Sequence, residues 1–174
     1  MTEEITVSDW KRSRLTERLN LNVPIIQAPM AGASTPAMAT AVSRGGGLGS
    51  LGAGKQPSDK TRVDCQTIRA ETNGAYNVNF FAHEEPEVDL ARSESMREQI
   101  KPYFEEFGLK DVPTAEVTYE PFNENHLAAV LDMMPPVVSF HYGLPRADLF
   151  KAVKDAGLFT ISSATNLREA KELE

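Results

Sequence analysis

The sequence predicts a parallel α/β fold, on three observations. Short apolar runs of strand length recur along the chain, and each is followed by a segment whose apolar residues repeat at helical spacing. Glycine, proline or asparagine separates these segments, without the two-residue turns that would fold one run back on the next as a hairpin. Strands that alternate with helices pair in parallel through right-handed crossovers. At 174 residues and 41% hydrophobic, the chain can bury a single sizeable core.

Residues 1–20 are polar, with Ile5, Val7, Trp10, Leu15 and Leu19 among charges, and read as a short helical lead-in packed on the first strand. Residues 23–26 form an apolar run, the pattern of a strand buried on both faces. It delivers Gln27-Ala28-Pro29-Met30 to a turn of small residues. Thr35-Pro36 then offers a helix cap and a first-turn proline, for a helix that Gly45-Gly46-Gly47 stops. Residues 48–54 begin as a very short second strand and are rich in glycine, which lets a backbone or a planar ligand approach closely. Ser58 is expected to cap a helix reaching Thr72, with Thr61, Cys65, Ile68 and Thr72 on one face, so Cys65 reads as a packed residue. After Asn73-Gly74, residues 76–81 read as a strand on which Asn77 and Asn79 share a face. Buried amides there need a polar ligand or a neighbour on the ladder.

Residues 84–121 depart furthest from the repeat. They hold a helix with Met96, Ile100, Tyr103, Phe104 and Phe107 at core-like spacing, stopped by Gly108, and then Pro113 and Pro121. Asn123 caps a further helix with Leu127, Val130, Leu131 and Met134 facing inward, which leaves His126 on the solvated side. Residues 137–141 form the next strand. Pro145 opens a helix with Leu149, Ala152, Val153 and Ala156, residues 158–162 form a fifth strand, and a final helix carries Leu167, Ala170 and Leu173.

A net charge of −7 argues against a nucleic-acid groove or an anionic membrane surface, both of which need a basic face. The single cysteine excludes an internal disulfide framework and a thiolate zinc cage. It points to a reducing compartment. With acidic Glu3 and Glu4 at the start and no long apolar run, the expectation is a soluble, cytoplasmic protein without a signal peptide. The C-terminal strand ends collect Ala28, Pro29 and Met30; Ser50 to Gly54; Asn79 and His83; His141 and Gly143; and Ser162, Ser163 and Thr165. No paired carboxylates stand there for glycoside hydrolysis, no ligand set for zinc, and no Gly-x-Ser-x-Gly elbow. The glycines at 45–49 follow a helix instead of opening one, so they are not a dinucleotide fingerprint. What remains suits a flat, polar, redox-active organic cofactor: a glycine-rich floor, an asparagine for its ring edge, and a histidine beside the substrate.

Four stretches, 24–32 (PIIQAPMAG), 46–54 (GGLGSLGAG), 77–81 (NVNFF) and 138–143 (VSFHYG), together resemble the nitronate monooxygenase family, formerly called 2-nitropropane dioxygenase. The resemblance implies a TIM-type (β/α)8 barrel that binds FMN without a covalent bond and oxidises alkyl nitronates with O2 to a carbonyl compound and nitrite. By position, Ala28, Pro29 and Met30 would line the isoalloxazine and Asn79 would hydrogen-bond the flavin. His141 would face the substrate as the catalytic residue, orienting the nitronate against flavin N5; no metal is implied. Residues 21–174 would then supply about the first five β/α units of an incomplete barrel, after the lead-in at 1–20. The family's phosphate site and a second histidine lie in later units. A part-barrel leaves open edges, so the chain is expected to need the missing C-terminal half or self-association, and to be impaired alone. A flavin-dependent enoyl or quinone reductase relative and a non-catalytic half-barrel are the alternatives.

Overall fold

A computed structural model of the chain describes residues 9–85, 87, 89–114 and 119–174. Of the expected lead-in, Ile5 and Val7 lie outside these residues. What is described of it is a 3-10 turn at Asp9–Lys11 and the helix α1 (Arg14–Leu19), whose capping box pairs Ser13 with Thr16.

The rest of the main unit alternates as expected: α2 (Pro36–Arg44), β1 (Gly49–Gly52), α3 (Ser58–Glu71) and β2 (Tyr76–Phe81) come first. After the segment carrying α4 (Leu90–Glu106) come α5 (Glu124–Met133), β3 (Val137–His141), α6 (Ala147–Asp155), β4 (Phe159–Ser162) and α7 (Leu167–Leu173). All strand pairs are parallel and stand in the order β1-β2-β3-β4. One face of the sheet carries Leu51, Val78, Phe80, Val138 and Phe140, which form a continuous core with Cys65, Ile68, Val130, Leu149 and Val153 of the helices. Phe122 closes that core with its ring edge-on to Phe80 and Phe140, at 5.0 and 5.3 Å between centroids. Helix α2 approaches β1 so closely that a side chain at Gly49 would come within 2.0 Å of the Ala39 carbonyl oxygen. Only glycine fits there.

The expected first strand is not one. Residues 23–26 make a single parallel bridge, Ile26 to Leu48, so among the described residues the sheet has four strands instead of five. The cause is local: Pro24 has no N–H to give, and the Ile25 N–H turns back to the Val23 carbonyl at 2.9 Å. Beyond the bridge the pairing passes to a side chain. The Ser50 N–H donates to Gln27 Oε1 at 2.9 Å, and Gln27 Nε2 donates to the Ser50 carbonyl at 3.0 Å. A glutamine amide thus occupies the place of a strand's peptide group.

Three further expectations are corrected. Ser58 is the first residue of α3, not its cap; Pro57 precedes it and no side chain caps the helix. His126 is buried, not solvated, because the inward stripe of α5 runs through His126, Ala129, Val130 and Met133. Leu131 and Met134 are largely exposed. The stripe on α4 forms no core: residues 84–118 make a separate compact unit, and none of the helix is buried, Phe107 being 80% exposed. Within that unit no second described helix or strand offers the stripe a surface to pack on. Cys65, as expected, is packed; burial pushes its thiol up to about 11.

Two predictions follow from this packing. Gln27→Ala leaves both polar groups of the buried Ser50 peptide unpaired, which should cost about 2–3 kcal/mol and lower the urea midpoint with the m-value unchanged. His126 is stacked on Phe122, and its Nδ1 accepts from the Asn123 N–H at 3.3 Å, so burial, the largest influence, holds its pKa below the usual value. The folded state therefore binds fewer protons than the unfolded state, and stability should be complete above about pH 6.5 and fall as pH drops toward the folded pKa. Denaturation curves across that window, with His126→Gln flattening the slope, check it.

Candidate functional site

Because every strand of the sheet runs the same way, all four C-terminal ends and the loop after Gln27 meet along one edge. At β1 the loop of Met30 and Ala31 lies directly on Gly52, where a Cβ would stand 2.6 Å from the Ala31 nitrogen. Ser34 ties the two together: its Oγ donates to the Met30 carbonyl and accepts from the Gly52 N–H at 2.9 Å. This leaves Met30 39% exposed at the tip. Ala28 is exposed beside Pro29, and Ala53 and Gly54 continue the small-residue floor.

The face of the sheet opposite the helices is polar and buried. Asn77 Nδ2 donates to Ser50 Oγ at 3.2 Å, and Asn79 Nδ2 donates to Ser139 Oγ at 2.9 Å. Both amides thus meet ladder neighbours. Asn77 Oδ1 is left buried without a partner among the described residues. One rung further, Phe81 pairs with His141.

His141 stands at the end of β3, where Tyr142 takes a left-handed backbone (φ +68°) and Gly143 follows at +105°. Ser162 secures that turn by donating to the Gly143 carbonyl at 3.1 Å. The imidazole Nδ1 is 2.8 Å from Ser163 Oγ. Together with Tyr142, Gly143, Thr165 and Glu169 these residues line a cleft of about 580 Å³. Glu169 is occupied structurally: it accepts from the Thr165 N–H and hydroxyl and from Asn166, and the Thr165 amide, first among these, holds its carboxyl below the usual range. A second group gathers beside it. Phe81 meets Tyr142 and Tyr119 at 5.3 and 5.5 Å, His83 lies edge-on to Tyr119, and Lys55 Nζ sits 4.8 Å over the Tyr119 ring.

The edge therefore brings together Ala28, Pro29 and Met30 at one end and His141 at the other, with Asn79 on the rung between. Ser34, Lys55 and Tyr119 had no signal of their own in the sequence; Ser139 could have been found on the face of His141, two residues before it on the same strand, although its pairing with Asn79 is set by the register. Among the described residues no cluster of metal-ligating side chains occurs, and no helix is long and apolar enough to cross a membrane.

Comparison with known proteins bears on the family and the fold. The family model described as nitronate monooxygenase matches residues 12–174. A nitronate monooxygenase of Paraburkholderia phytofirmans is 42% identical over 90% of this chain and 43% of its own length. Another from Pseudomonas aeruginosa is 38% identical over 92% and 46%. A nitroalkane oxidase from Streptomyces ansochromogenes superposes with a TM-score of 0.76 at 33% identity, over 92% of this chain and 45% of that one. FabK from Thermotoga maritima, at 24% identity and TM-score 0.67 over 93% and 40%, shares the fold. The chain spans under half the length of these relatives. With the match extending from α1 to the last residue and the four motifs gathered on the sheet and its edge, the chain belongs to the nitronate monooxygenase family.

Proposed function

We propose that this chain supplies the flavin-facing strand ends of an FMN-dependent site that oxidises alkyl nitronates with O2, yielding a carbonyl compound and nitrite. The observation that carries the reading is the convergence of the Met30 loop, the Asn79–Ser139 rung and the His141–Ser163 pair on one edge of a parallel sheet, within a chain of this family. Residues 21–174 would be the first part of a (β/α)8 barrel, completed by a further segment or a second copy, working in the cytoplasm.

The residues fit an isoalloxazine. The loop on β1 and the histidine on β3 stand two strand spacings apart, roughly 10 Å, a span suited to a three-ring system. The floor beneath it is made of Ala28, Pro29 and Ala31, with Met30 at the tip and the loop seated on Gly52, small enough for close approach of a flat ring. Asn79 gives its Nδ2 to Ser139, which turns Oδ1 the other way as an acceptor for a ring-edge N–H.

FMN, when bound there, would supply the redox chemistry. The work of the chain is to orient the substrate. In the tautomer in which Ser163 donates to Nδ1, His141 carries its proton on Nε2, a donor for an anionic nitronate oxygen. The role is electrostatic and positional. Because the Ser163 contact fixes the ring, the donor is in place before substrate arrives.

The test is an FMN titration of the purified chain, alone and with the C-terminal half of a longer relative supplied in trans, followed by nitrite release from propionate 3-nitronate. Flavin binding and nitrite release are expected, with His141→Ala lowering kcat/KM about 10²-fold while flavin remains bound. Absence of flavin binding in both samples would overturn the reading. NADPH-dependent quinone reduction without nitrite release would move it to the reductase alternative.

A further inference from the structure

His83 and Lys55 are left unused by that reading, and both end strands at the same edge. His83 follows β2 by two residues, and its Nδ1 is buried without a hydrogen-bond partner among the described residues. The ring is boxed by Phe81, Tyr119 and Tyr142, at 6.4, 5.8 and 6.5 Å between centroids. Aromatic edges and faces hold an imidazole in place but satisfy no N–H. Lys55, just past β1, places its ammonium 4.8 Å over the Tyr119 ring and has no carboxylate within 4.0 Å among the described residues, in a chain of net charge −7. Two nitrogen groups therefore flank one tyrosine, and neither is spent on structure. Tyr142, chain neighbour of His141, is 68% exposed and lies over His83 and Phe81 by ring contacts, the outer wall of this group.

We infer that His83 and Lys55 form an anion subsite around Tyr119, adjoining His141 and distinct from it, that receives an oxyanion of the substrate. The ammonium supplies charge and the imidazole a directional donor. The rings around His83 bury its Nδ1, which strengthens a hydrogen bond made there, while the exposed ammonium supplies its charge from the solvent side. The inference rests on the nitronate reading for its substrate, since a nitronate is an anion. The oxygen pair could belong to the nitronate group or to a carboxylate elsewhere on the molecule, and the two are separable by probe.

The experiment is nitrogen-15 NMR of the histidine rings in the intact chain, at low ionic strength, titrated with propionate and separately with nitrite. The His83 resonances are expected to shift saturably with at least one anion, and Lys55→Met, a change at an exposed position, to weaken that binding about two- to fivefold. Response to propionate alone assigns the subsite to a carboxylate, and response to nitrite alone assigns it to the nitro-type end. Absence of a saturable His83 shift with either anion overturns the inference, as does equal affinity in Lys55→Met. A saturable shift in a chain that releases no nitrite from propionate 3-nitronate even with FMN and the C-terminal half supplied in trans keeps the subsite and sinks the nitronate reading; nitrite release in that assay without the shift does the reverse.

Discussion

A buried polar face governs this sheet. Leu51, Val78, Phe80, Val138 and Phe140 point to the helices, so period two sends Ser50, Asn77, Asn79 and Ser139 to the other side, where each is at most 5% exposed. Amides removed from water must find partners, and here their Nδ2 groups find them sideways, Asn77 on Ser50 and Asn79 on Ser139. A slip of one residue between β2 and β3 would set Asn79 against an apolar neighbour and expose the core face. The register that prevents this also puts Phe81 beside His141 and brings the strand ends of the candidate site into line. Stability and site geometry thus rest on the same hydrogen bonds.

Much of this was legible in the sequence because it depended on local chemistry. Thr35-Pro36 begins α2, Asn123 caps α5, and Gly157 at φ +77° ends the turn after α6, all from short-range rules. The alternation of strand and helix also stood out, since a parallel sheet needs a crossover between strands. What failed depended on partners. The run at 23–26 has strand composition, yet Pro24 denies it a ladder. The stripe on α5 lay one position away from where Leu131 and Met134 suggested, because His126 stacks on Phe122 and so behaves as an apolar residue. The aromatics of α4 have core spacing without core burial. Periodicity reports a face; it does not report what meets that face.

The strand ends show the same division. Asn79 and His141 were visible by type and position, whereas Ser163, which fixes the His141 ring, became meaningful only through a contact 22 residues away in sequence. Lys55 and Tyr119 meet across a still longer separation. Side chains that orient others are chosen by the fold, and a linear reading sees them as ordinary hydroxyls and charges.

The glutamine that replaces a strand at β1 has a further consequence. An amide proton bonded to a neighbouring backbone is released only when two strands part, but the Ser50 amide is held by a rotatable side chain, Gln27. Its exchange with deuterium is therefore governed by excursions of the loop that carries Met30, not by opening of the sheet. Ser50 should behave as a sentinel, exchanging earlier than the β1 amides that face β2 and registering from inside the protein whatever steadies or loosens the rim above it.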